Sequence, residues 1–161
     1  MVSIWPTANT PLDYSDPSIP EKEETISIQP GSLLHAIHHI SPIYFNLILK
    51  AGMLSLFNNP SNKMTFIMTP DEYLPTTFEN VDPVFARKLV NYSTLPERIT
   101  MADFGTLDEG SLRTNLPEQT LTYRKVDTKL YINNVGVIQM YTTRPAYTMI
   151  LVESPIFKLQ S

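Results

Sequence analysis

Three histidines and the adjacent carboxylates Asp71 and Glu72 are the residues of this chain whose types and spacing first suggest chemistry. His35 and His39 stand four apart, so on a helix they would share a face, as two ligands of a metal site must; His38 lies between them. No glutamate intervenes, the chain has no cysteine, and no third ligand stands near. The pattern therefore falls short of a metal site. It reads as partly exposed helix histidines, able to make surface contacts pH-dependent near an unperturbed pKa of about 6.5. Asp71 and Glu72 could act as an acid–base pair only if they converged on a substrate. A helix N-terminus already accounts for both, because negative charge there is favourable by about 0.3–1 kcal/mol. There is no nucleophile elbow, phosphate-binding glycine loop, HExxH or dinucleotide fingerprint. The expectation is no catalytic residue, no cofactor and no metal. Asn91-Tyr92-Ser93 fits a glycosylation acceptor. It falls near the end of an expected packed helix, and Met1–Pro6 lacks the basic start and apolar run of a secretory signal, so the match reads as chance.

The element that would position Asp71 and Glu72 begins upstream. Phe66-Ile67-Met68 is an apolar run too short for a helix and bounded by turn formers, which predicts a buried strand. Thr69 then suits a helix N-cap, Pro70 the first helical position and Glu72 the third, a capping box. The chain should leave a core strand and enter a short helix at this corner.

Helices are expected before it. Gly31 and Ser32 open a short helix through Leu33, Leu34, Ile37 and Ile40. Ser41-Pro42 starts a second with Ile43, Phe45, Leu47, Ile48, Leu49 and Ala51 apolar, and Gly52 interrupts it before Met53–Phe57. Asp82-Pro83 caps a third helix through Val84, Phe85, Leu89 and Tyr92, ended by Thr94-Leu95-Pro96. Arg98–Met101 reads as a strand and Asp108-Glu109-Gly110 as a turn. Three strand-like runs close the chain: Thr120–Val126, Lys129–Tyr141 with a turn at Asn133-Asn134, and Ala146–Glu153. Helices first and strands late suggest an α+β fold.

Thr65, Phe66, Ile67, Met68, Thr69, Pro70, Asp71 and Glu72 resemble the Thr-apolar-Phe strand and Pro-Thr-Asp-Glu corner of the fasciclin (FAS1) domain. Ala51-Gly52-Met53 is similar to the family's Ala-Gly-Leu before that strand. Tyr92 matches the tyrosine of its Tyr-His motif, with Ser93 in place of the histidine. Ile132-Asn133-Asn134, then Val135–Ile138, then Thr148–Glu153 follow its closing strands. The resemblance covers residues 30–158. It implies a FAS1-like wedge of two twisted β-sheets with helices packed along one side. It also implies surface recognition, as in adhesion and matrix contact, rather than catalysis. Integrin contact, implicated at the Tyr-His region of animal relatives, is not carried over, because the histidine is missing.

Composition sets the remaining bounds. Of 161 residues, 42% are hydrophobic and 17% charged, enough for one packed domain. Asp13, Asp16, Glu21, Glu23 and Glu24 against Lys22 put the whole formal charge of −4 in residues 1–29, and the rest is balanced. No basic face favours nucleic acid, and no run of about 18 apolar residues would span a membrane. Pro6, Pro11, Pro17, Pro20 and Pro30 punctuate residues 1–29, which should form an extended, largely unpaired acidic arm. Ile4, Trp5, Leu12, Tyr14 and Ile19 are its candidate anchors on a partner, ahead of a domain at 30–161. The expected function is non-enzymatic: an interaction or structural protein, a subunit or cementing protein of a larger assembly such as a viral capsid. An adhesion or extracellular-matrix FAS1 protein is one alternative, and a small-ligand-binding or enzymatic domain another.

Overall fold

Two neighbouring strands, buried on both faces, carry the structure, a computed structural model that describes residues 12–15, 25–104, 108–117, 119–143 and 147–156. In chain order the strands are β1 (Leu12–Ser15), β2 (Thr25–Ile28), β3 (Met64–Met68), β4 (Thr94–Leu95), β5 (Glu109–Arg113), β6 (Thr120–Val126), β7 (Lys129–Ile132), β8 (Val135–Thr142) and β9 (Tyr147–Val152). The helices are α1 (Leu33–Ile40), α2 (Pro42–Lys50), α3 (Leu54–Phe57) and α4 (Pro83–Tyr92). The central pair is β3 and β9, which run parallel with Phe66 beside Met149 and Ile67 beside Ile150. A strand covered on both faces needs apolar residues at every position, and both sequences are near-continuous apolar runs.

Alternation along these two strands divides the core in two. Met64, Phe66, Met68, Tyr147, Met149 and Leu151 pack with the helices, among them Phe45 of α2, Phe57 of α3 and Leu89 of α4. Ile67, Ile150 and Val152 face the other way and meet Leu121, Tyr123, Leu130 and Ile132 of β6 and β7. The strand order is β4-β3-β9-β8-β7-β6-β5. β8 meets β7 only at Val135 and Gly136, then pairs with β9 from Val137 to Thr142. The sheet therefore divides at β8, and its two parts enclose the second core. This is the expected α+β architecture.

The expected caps at Ser41 and Asp82 form, and Ser32, which opens α1, caps it too: their side chains accept backbone N–H bonds from Tyr44, Phe85 and His35 respectively. Asn133 and Asn134 take φ of +50° and +65° at the β7–β8 turn, the left-handed pair that a two-residue hairpin needs.

Two expectations are corrected. Arg98–Met101 is not a strand; the strand is Thr94–Leu95, and Met101–Phe104 is a 3-10 turn. Side chains do the work of a ladder there. The Thr65 hydroxyl accepts the Ile99 N–H at 2.9 Å, and the Thr148 hydroxyl donates to the Ile99 carbonyl at 2.6 Å. Asp108-Glu109-Gly110 is not a turn, since β5 starts at Glu109; its glycine sits under the ring of Tyr123, which a Cβ would meet at 2.7 Å. Within the segment read as a largely unpaired arm, β1 and β2 pair antiparallel, Leu12 opposite Ile28, and residues 1–11 and 16–24 lie outside the described residues. Extended backbone left its N–H and C=O groups open, and they pair with each other. Ile28 is fully buried in the helix-side core, and the Asn58 side chain holds the carbonyl of Ser27 and the N–H of Gln29.

Candidate functional site

The corner after β3 forms, but it works differently from a capping box. Pro70 has φ −54° and ψ 145°, an extended conformation, and the following helix is a single 3-10 turn, Asp71–Tyr73, with no side-chain cap. Thr69 is fully buried at the end of a core strand. Its hydroxyl lies beside the Tyr44 phenol and, among the described residues, makes no hydrogen bond of good geometry. Burial, not cap chemistry, sets its direction. The Thr69 N–H donates to the Tyr44 hydroxyl at 3.3 Å, and burial pushes that phenol up to about 12.

Asp71 caps a different helix. The Ser41 hydroxyl donates to its Oδ1, and the N–H of Ile43 approaches Oδ2 at 3.5 Å. Ser41 Oγ in turn accepts the Tyr44 N–H at 3.1 Å. The carboxylate thus sits at the N-terminus of α2, where unpaired N–H groups and the helix dipole favour negative charge. It docks the corner onto the helix layer across about thirty residues of sequence.

Beside the corner lies an open cleft of about 390 Å³, lined by Ile40, Pro70, Asp71, Glu72, Tyr73, Ile138, Gln139 and Leu151. Its far wall is a β-bulge. Val137 pairs with Val152 and Gln139 with Leu151, so Ile138 is the extra residue of β8. A bulge turns a side chain out of the regular pleat. Ile138 is 47% exposed and Tyr73, also lining the cleft, 52%. Two large apolar side chains thus flank one concave surface, with Glu72 exposed on the same rim.

The structure scatters the other residues singled out from the sequence. Thr65 pins the 97–99 segment to β3 through bonds to Glu97 and Ile99. Phe66 is at the core centre, edge-on to Tyr44 at 5.7 Å and Phe57 at 5.1 Å. The Tyr92 hydroxyl accepts from Asn133 Nδ2 at 2.8 Å, tying α4 to the β7–β8 turn. Leu12 and Tyr14 fall on β1, while Ile4, Trp5 and Ile19 lie outside the described residues. Pro70, Asp71 and Glu72 alone of this set line the cleft. Sequence reasoning missed Ile138. The signal was there: Val135 and Val137 face the second core, and then Met140 does, a break in the two-residue period.

Of the three histidines expected to be partly exposed, His38 and His39 are, and His35 is not. His35 is 3% exposed, because it lies on the apolar face of α1, and His38 stands edge-on to Phe45 at 4.8 Å; His39 is exposed. Burial first, and neighbouring histidines second, hold His35 and His38 below their ordinary value. Among the described residues no three His, Asp or Glu side chains converge as a metal ion would need.

No protein-family model and no curated protein matches the chain. Among solved structures, a FAS1 domain pair from the insect cell adhesion molecule fasciclin I superposes with a TM-score of 0.62 at 12% identity. The match covers 87% of this chain and 57% of that one. At such identity the likeness defines the fold: this is a FAS1-like α+β domain. The chain spans little more than half of the two-domain chain it matches.

Proposed function

We propose that the chain is a divergent FAS1-family interaction module that works by contact with other protein subunits, without catalysis, as a structural or cementing component of a larger assembly. A viral capsid is one such assembly. Cell adhesion, the work named for the fasciclin I neighbour, is another form that such contact takes. The observation that carries the reading is the division of labour at the cleft. Asp71 is committed to Ser41 and the N-terminus of α2, whereas Tyr73 and Ile138, which line the same cleft, are left exposed. Exposed aromatic and aliphatic side chains around a concavity suit protein recognition, where a few buried anchors carry most of the energy.

Purification of the tagged full chain from its natural source, followed by gel filtration, tests this. The native chain should elute in a large complex. Tyr73→Ser combined with Ile138→Ser should elute alone with an unchanged unfolding temperature. A native chain that elutes alone, or one that turns over a small molecule, would contradict the reading.

A further inference from the structure

The strand order has two ends. One is β4, two fully buried residues; the other is β5, whose residues Glu109 to Arg113 pair with β6 alone among the described residues, and the two ends meet only two residues past β5, where the Asn115 N–H donates to the Thr94 carbonyl at 2.9 Å. Side chains on β5 alternate, with Glu109, Ser111 and Arg113 exposed and Gly110 and Leu112 half-buried. The backbone alternates in step. Lys125 donates its N–H to the Asp108 carbonyl at 2.6 Å, and Thr114 donates to the Gln119 carbonyl at 3.3 Å. Ser111 stands opposite Thr122 in this antiparallel pair, and bonded positions recur every second residue. The even-numbered residues 108 to 114 therefore turn their peptide groups to β6. Those of Glu109, Ser111 and Arg113 point to the open side.

An open row of peptide groups is a template for another strand. The sequence Glu109-Gly110-Ser111-Leu112-Arg113 is complementary to itself run backwards. Antiparallel about Ser111, Glu109 stands opposite Arg113 of a second copy, and Arg113 opposite Glu109 of that copy. Gly110 stands opposite Leu112, small against large. Both charged residues lie on the exposed face, and neither is in an ion pair among the described residues. This register also sets outward peptide groups against outward ones. A slip of one residue would oppose them to groups already turned to β6.

We propose that two copies of this chain join edge to edge through β5, across a two-fold axis at Ser111, making one antiparallel sheet that runs through both molecules. The contact goes beyond the function proposed above and stands without it, since it needs no other subunit.

Sedimentation velocity of the purified full chain over a concentration series tests the pairing. The native chain should pass from monomer to dimer as concentration rises. Glu109→Arg alone and Arg113→Glu alone should each stay monomeric, because each places like charges opposite. An equimolar mixture of the two should form a dimer, because every facing pair is then opposite in sign. Ser111→Pro should also be monomeric while keeping its unfolding temperature, since the N–H it removes points away from β6. A native chain monomeric throughout would overturn the proposal, as would single variants that dimerise like the native chain. So would loss of the dimer on deleting residues 1–11 while Glu109→Arg leaves it intact, which would place the joint in the arm.

Discussion

Ser41-Pro42 and Thr69-Pro70 are the same local signal, a hydroxyl side chain followed by proline, and they do opposite things. At Ser41 the hydroxyl accepts the Tyr44 N–H and a nine-residue helix follows. At Thr69 the hydroxyl is buried without a good partner, and only a 3-10 turn follows. The difference lies in what precedes each. Ser41 follows a helix end, where the chain is free to aim its side chain at the next helix. Thr69 ends a strand covered on both faces, so the pleat aims its side chain into the core. Asp71 then supplies the acid that the second site does not use to the first. A capping motif reports what a segment can do, and tertiary burial decides which of its groups are available.

This contrast can be broken experimentally. Phe66→Ala, at the strand that imposes the burial, should cost about 3–5 kcal/mol in denaturant unfolding; a cost below about 1 kcal/mol would mean that the strand does not dictate the corner. Asp71→Ala should cost about 2 kcal/mol, as hydrogen bonds to a charged group do. Ser41→Ala should cost about 1 kcal/mol through the lost cap. The double variant should fall short of the sum, because both changes remove the same bond; strict additivity would show that Asp71 does not act through Ser41. Thr69→Val should be neutral or slightly stabilising, within about 1 kcal/mol, since it removes a buried hydroxyl with no good partner. A true N-cap would lose about 1 kcal/mol instead.

The helix that ends at Ser41 adds a pH-dependent test. His35 and His38 are held below their ordinary value, so the unfolded chain binds protons more readily than the folded one. Their contribution is complete above about pH 6.5 and is lost as pH falls through their lowered values. Thermal melts should therefore show a downward slope from pH 7 to 5, shallower in His35→Gln than in the native chain. Identical slopes would remove the histidines from the account.

Much of this molecule was legible in its residues. The helices, their caps at Ser41 and Asp82, the buried β3 and the Asn133-Asn134 turn all follow from local chemistry, and local chemistry is what a sequence displays. The errors share another cause. Gly110 reads as a turn residue until Tyr123 is seen lying across it. Residues 98–101 read as a strand until Thr65 and Thr148 are seen to hold Ile99. His35 reads as a surface residue until α1 is packed on its face. Each depends on a neighbour at least twelve residues away or on which face a helix buries. The cleft was half visible: Pro70, Asp71 and Glu72 were singled out for a role in capping, while Ile138 needed the period break at the bulge to be recognised.

The central claim is that this FAS1-like domain works through surface contact at the cleft beside the corner. Hydroxyl-radical footprinting of the full chain, compared between its native setting and the purified state, addresses it directly. The account predicts that Tyr73 and Ile138, open in the purified chain, become shielded in the native setting, while Val84, exposed on α4, is oxidised equally in both. Equal oxidation of Tyr73 and Ile138 in the two states would contradict it.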